Sequence, residues 1–298
     1  MHDKPENDPD HYGRALRIRE QDAAYGAQRS PGGDGANGAD DTVPPQVAWA
    51  DPQPPEAVLP NYRDINLARL HQLGMVTHDG GRTSVAEDFR IIKRPLLRNA
   101  RAAGAAAIRH GNLIVVTSAL PGEGKTYCAV NLAMSIAMEM DMTVMLVDAD
   151  VARPSVLKVL GLRAEVGLMD LLLDDGLELS DVILKTNVAT LSILPAGHSN
   201  KHATELLASR AMSNLLGDIA SRYADRIVIF DSPPLLITTE ANVLASQMGQ
   251  VVLVIEAETT TQHAVKEALR QIESCSNINL IYNKTKAFPV GYHYGYYD

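Results

Sequence analysis

The stretch from Leu113 to Met140 constrains this chain more than any other. Apolar, mostly β-branched residues run from Leu113 to Val116, close on Thr117 and lead into Ser118-Ala-Leu-Pro-Gly-Glu-Gly-Lys-Thr126. A helical stretch, Cys128 to Met140, follows. Strand, glycine-bearing loop ending in Gly-Lys-Thr, then helix is the layout of a phosphate-cradling P-loop. Gly122 and Gly124 let the backbone turn its N–H groups inward, and the helix start adds partial positive charge there. Lys125 is placed to reach the terminal phosphates, and Thr126 to offer its hydroxyl to Mg²⁺. The pattern departs at one position, where Ala119 replaces a glycine. A dinucleotide fingerprint is disfavoured because Tyr127 stands where its third, close-packing glycine belongs.

A loop of this kind needs carboxylates for its metal, and two apolar runs supply them. Val144-Met-Leu-Val ends in Asp148-Ala-Asp150, with Arg153-Pro154 just beyond; Ile227-Val-Ile-Phe ends in Asp231-Ser-Pro-Pro234. In an open parallel sheet the C-terminal strand ends share one edge, where ligands bind. Asp148, Asp150 and Asp231 are therefore expected to converge on the phosphates held by Lys125. Thr126 and Asp231 are the expected Mg²⁺ residues, with Asp148 a third candidate.

Apolar runs alternating with helical stretches predict an α/β fold: a doubly wound, mostly parallel sheet flanked by helices. Strands are expected at Leu113–Thr117, Thr143–Val147, Leu191–Leu194, Arg226–Phe230, Val251–Ile255 and Asn279–Tyr282. Helices are expected between them, including Thr204–Arg222, either continuous or broken, and Thr260–Ser274. Residues 1–60, rich in Gly and Pro without periodicity, read as disordered. Residues 61–83 read as a linker with a short helix around Asp64–Leu73, 84–284 as the P-loop domain and 285–298 as a flexible tail. Ser84 with Glu87 has the form of a capping box. The helix behind it carries Phe89, Ile92 and Leu96 as one stripe, with Arg90, Lys93, Arg94 and Arg98 around it, and Pro95 is expected to kink or restart it. That basic face is either solvated or a self-association surface.

A net charge of −9 argues against broad nucleic-acid binding. Two cysteines, Cys128 and Cys275, build neither a disulfide framework nor a metal knuckle and fit a reducing, cytoplasmic setting. No apolar run approaches the roughly 18–20 residues of a membrane span, so membrane association is expected only through a partner. His198 and His202, four apart in a polar loop, are too few ligands for a metal site.

The trio Leu120-Pro-Gly-Glu-Gly-Lys-Thr126, Val147-Asp-Ala-Asp-Val-Ala-Arg153-Pro and Phe230-Asp-Ser-Pro-Pro234 resembles the Walker A, A′ and B motifs of bacterial tyrosine autokinases. The related partition and positioning ATPases, the rival reading, carry a signature Lys where this chain has Leu120. Arg90-Ile-Ile-Lys-Arg-Pro-Leu-Leu97 is similar to the exosortase-associated members found with exopolysaccharide loci. The resemblance implies ATP and Mg²⁺ as cofactors and contacts to ATP along Pro121, Gly122, Glu123, Gly124, Lys125, Thr126 and Tyr127. It gives Asp148 the incoming tyrosine hydroxyl to orient or deprotonate, with Asp150 and Lys125 in the catalytic set. Asn283 matches a base-contacting Asn of related folds. The tail tyrosines Tyr292, Tyr294, Tyr296 and Tyr297 match the family's autophosphorylated cluster. Glu87, Arg90 and Lys93 (or Arg94) match a motif that joins subunits into a ring. A transmembrane polysaccharide chain-length regulator is the implied activator, which places a cytoplasmic enzyme at the inner membrane and its output in exopolysaccharide synthesis or export.

Overall fold

The computed structural model describes residues 16–19 by their backbone, and residues 61–222 and 225–286 in full. In chain order, β1 (Leu16–Arg19) and β2 (Tyr62–Arg63) precede α1 (Leu67–Gln72) and α2 (Ser84–Ala100). The P-loop unit follows as β3 (Leu113–Ser118), α3 (Lys125–Ala137) and β4 (Thr143–Asp148). Next come α4 (Val156–Leu160), α5 (Leu168–Leu173), α6 (Leu179–Val182), β5 (Leu184–Thr186) and β6 (Leu191–Leu194). Then follow α7 (Ala203–Leu207), α8 (Arg210–Arg222), β7 (Arg226–Asp231), α9 (Thr239–Gln247), β8 (Gln250–Glu256), α10 (Gln262–Gln271) and β9 (Ile278–Thr285).

Among the described residues nine strands form one sheet in the order β1-β9-β8-β3-β7-β4-β6-β5-β2. Every pairing is parallel except β5 with β6. The central strands are buried on both faces, and alternate residues face opposite layers. Ile114, Val116, Val144, Leu146, Ile227, Ile229, Val252 and Val254 join one apolar cluster with residues of α1–α4. Leu113, Val115, Met145, Val147, Val228, Phe230, Val251 and Leu253 join the other, with residues of α5–α10. This two-sided cover is the doubly wound architecture that the alternating pattern predicts.

The expected strands all form, with ends shifted by a residue or a few. The expected helix Thr204–Arg222 is α7 and α8, divided at Ala208–Ser209. Three details differ from the sequence reading. Thr83, not Ser84, caps α2, its hydroxyl accepting from the Ala86 N–H at 3.1 Å. Pro95 neither ends nor restarts that helix, which runs unbroken to Ala100. The carbonyl that loses its helical partner to Pro95 belongs to Ile91, on the exposed side of the helix. Within the segment read as disordered, Leu16–Arg19 pairs with the outer edge of β9; the rest of 1–60 lies outside the described residues.

Candidate active site

Topology gathers the site. Strand β7 pairs with both β3 and β4, and Asp148 and Asp231 are direct register partners at the ends of β4 and β7. The P-loop leaves β3 beside them. Gly122 and Gly124 take positive φ, 86° and 92°, which puts the loop's turns in the region glycine favours. A Cβ on Gly124 would also overlap the Asn283 amide. Ala119 has no left-handed φ and is fully buried, so the missing glycine costs the loop nothing in backbone geometry. The first-turn N–H groups of α3, from Lys125 to Tyr127, have no intrahelical acceptor and remain for a ligand.

Lys125 Nζ lies 2.8 Å from Asp150 Oδ2, and Asp150 Oδ1 accepts the Arg153 N–H at 3.1 Å. The Thr126 hydroxyl donates to Asp231 Oδ2 at 2.6 Å and sits 2.9 Å from the Ser155 hydroxyl. Asp148 Oδ2 accepts the N–H groups of Ser155 and Val156 at 2.9 and 3.0 Å. The other oxygens, Asp148 Oδ1 and Asp231 Oδ1, are buried with no hydrogen-bond partner among the described residues. Two orphaned carboxylate oxygens beside a lysine and a ring of backbone donors fit a cation and a polyphosphate in chemistry. Burial pushes Asp231 up to about 7, although the Lys125 charge and the Thr126 hydroxyl pull the other way. Burial likewise pushes Asp148 up to about 6 against the two amides that hold it.

The structure brings Lys125, Thr126, Asp148, Asp150 and Asp231 together at one edge of the sheet. It employs others differently. The Glu123 side chain is 2% exposed and faces inward, accepting the Leu120 N–H at 2.7 Å and the Thr260 hydroxyl. Asn283 donates to the Glu123 carbonyl at 2.8 Å, so its amide props the loop from below. The Tyr127 hydroxyl donates to the Gly74 carbonyl at 3.1 Å, and burial raises its pKa to about 12. Its contribution to the loop is thus its backbone. Pro121 and Gly122 are exposed at the loop's outer turn. Lys284 was absent from the sequence reading; its ammonium donates to the Gly122 carbonyl and to Glu256, both at 2.9 Å.

On α2, Glu87 and Arg90 pair with each other on the surface. Lys93 corrects the expectation of a basic face. It is 3% exposed, and its ammonium donates to the Ser135 carbonyl at 2.5 Å and meets Glu139 at 2.7 Å. The exposed cation beside it is Arg94, 3.7 Å from the same Glu139. His198 is held by Asp170 at 2.7 Å. The tail tyrosines lie outside the described residues.

A family model described as AAA domain matches residues 111–284, more than half of the chain. Tyrosine-protein kinase YwqD of Bacillus subtilis is 32% identical over 186 residues, 62% of this chain and 76% of that one. Succinoglycan biosynthesis transport protein ExoP of Rhizobium meliloti is 29% identical over 227 residues, 74% of this chain; the chain spans only 28% of that longer relative. The kinase domain of Escherichia coli tyrosine kinase ETK superposes with a TM-score of 0.62 at 28% identity, covering 73% of this chain and 83% of that domain. The Walker geometry and these likenesses agree, and the chain belongs to the AAA-domain family and, within it, to the bacterial tyrosine-protein kinases.

Proposed function

We propose that this kinase uses Mg²⁺–ATP to phosphorylate its own C-terminal tyrosines, Tyr292, Tyr294, Tyr296 and Tyr297, and thereby regulates exopolysaccharide synthesis or export. The observation that carries the reading is the pair of buried, unpartnered carboxylate oxygens on Asp148 and Asp231, set beside Lys125 and Thr126. When bound, Mg²⁺–ATP supplies the transferable phosphoryl group and a cation that offsets its charge. Lys125 exchanges Asp150 for the phosphates, and the free N–H groups of the α3 start hold them. Thr126 and Asp231 would hold the cation, Asp231 through its unpartnered Oδ1. Asp148 Oδ1 takes the tyrosine hydroxyl's proton: its raised pKa makes it a stronger base than a surface carboxylate, yet at neutral pH it is mostly ionised.

Glu87 and Arg90 are the proposed contacts between copies in a ring, with Arg94 as the exposed cation in place of Lys93. A transmembrane chain-length regulator is the proposed activator, and ExoP's name supports a polysaccharide setting. Among the described residues no helix is long and apolar enough to cross a membrane. The domain division at residues 60, 83 and 284 is likewise proposed. Intact-mass measurement after incubation with Mg²⁺–ATP tests the core of the reading. The parent chain should gain successive phosphate masses and Lys125→Met none; equal labelling of the two would remove the P-loop from the mechanism.

A further inference from the structure

We propose that Ser155 is a positioning residue, whose hydroxyl sets the Thr126 side chain so that one lone pair of its oxygen stays free for the divalent cation. The inference rests on the reading of Thr126 as the cation-side hydroxyl. Ser155 occupies the N-cap position of α4, where a serine ordinarily accepts a hydrogen bond from its own helix's first turn. Here it makes no such bond. Asp148 Oδ2 accepts the N–H groups of Ser155 and Val156 at the helix start, and the serine hydroxyl reaches 29 positions back in sequence to Thr126 at 2.9 Å. A residue that gives up its local cap for a distant hydroxyl is committed to that hydroxyl.

The proton count then fixes the direction of each bond. Thr126 has one hydroxyl proton, and Asp231 Oδ2 at 2.6 Å is its acceptor. Ser155 is therefore the donor to Thr126, and uses one of the two lone pairs on that oxygen. One lone pair remains. Threonine in a helix divides between two χ1 rotamers. Two hydrogen bonds, one given to Asp231 at the end of β7 and one received from Ser155 before α4, select a single rotamer before any ligand arrives. Ser155 also ties the phosphate side of the site to the acceptor side. Its hydroxyl holds Thr126 while its N–H holds Asp148.

The test separates hydroxyl from backbone, because Ser155→Ala keeps the N–H bond to Asp148 and loses only the bond to Thr126. ATP affinity is measured by titration calorimetry with and without Mg²⁺, and autophosphorylation is measured against Mg²⁺ concentration. Ser155→Ala should leave the Mg²⁺-free affinity within about 2-fold of the parent and raise the Mg²⁺ needed for half-maximal effect roughly 3- to 10-fold, the worth of one hydrogen bond. Ser155→Thr, which keeps the hydroxyl, should restore the parent's Mg²⁺ dependence. Parental Mg²⁺ dependence in Ser155→Ala overturns the proposal. So does a Ser155→Thr variant no better than alanine, or an equal loss of Mg²⁺-free affinity, which would make the serine a packing residue. Should the alanine variant fold poorly, Ser155→Cys, with a weak donor of similar size, must show the same raised requirement or the proposal fails. A parent chain whose ATP affinity ignores Mg²⁺ would instead overturn the reading of Thr126, and this inference with it.

Discussion

Asp148 and Asp231 stand in register on neighbouring strands, yet their environments differ, and so do the roles proposed for them. Asp231 has one oxygen on Thr126 and the other free, which suits a cation. Asp148 has one oxygen fixed by two amides and the other free, which suits a base held still. Asp148→Asn should therefore spare most of the nucleotide affinity and slow phosphoryl transfer on the order of 10²-fold; equal losses in binding and transfer would make Asp148 a ligand instead. The two acids also predict how the ligand-free protein responds to pH. Burial holds both above the ordinary carboxylate value, to about 6 and about 7. Between pH ~4 and ~7 the folded chain therefore keeps protons that the unfolded chain has released, and stability falls as pH rises through that window. The ligand-free melting temperature should be higher at pH 5 than at pH 8, and Asp231→Asn should flatten the difference. An unchanged pH slope in that variant would show that Asp231 is not its source.

At the scale of elements, the strands that build the site were legible because each is a long apolar run ending in a charged or glycine-rich turn. Strands β5 and β2 were not: three and two residues are too short to display a period of two. Thr83 and Ser84 are both cap-forming residues, and only the backbone settles which of them stands outside the helix. Lys93 was legible in hindsight. It lies four residues after Phe89 and three before Leu96, on the apolar stripe itself, so its stem had to run into the core. What no local pattern shows is the acceptor waiting there, Glu139 beyond the end of α3, or the pairing of Ser155 with Thr126. Lys93 thus ties α2 to the far end of the P-loop helix. Lys93→Ala should cost about 2–4 kcal/mol in denaturant unfolding, since it strips a partner from Glu139 and opens a gap. Lys93→Met, which fills the same space, should cost less. If Lys93→Ala instead leaves stability unchanged and alters only assembly size, its place is between subunits.

At the scale of the whole molecule, the end of β9 bears on the proposed use of the tail as a switch. Strand β9 runs parallel to β8 and ends at the edge that carries the P-loop, where Asn283 and Lys284 grip the Glu123 and Gly122 carbonyls. The segment Thr285–Asp298 therefore departs from beside the phosphate loop. Fully extended it spans up to about 46 Å at roughly 3.3 Å per residue, far enough to reach a site on its own or a neighbouring copy. Each phosphotyrosine adds about −1.5 to −2 charges, so four would add roughly −6 to −8. That charge falls on a chain whose net charge is already −9. A site walled by Asp148, Asp150 and Asp231 should expel such a tail, and an assembly that depends on docked tails should come apart. Changing Tyr292, Tyr294, Tyr296 and Tyr297 together to Phe should remove most of the phosphotyrosine signal and leave ATP binding intact. Light scattering after Mg²⁺–ATP is added should show the parent dissociating and the quadruple variant remaining assembled. Labelling of the variant at the parent's level would place the acceptor elsewhere, and dissociation of both alike would sever assembly from the tail's charge.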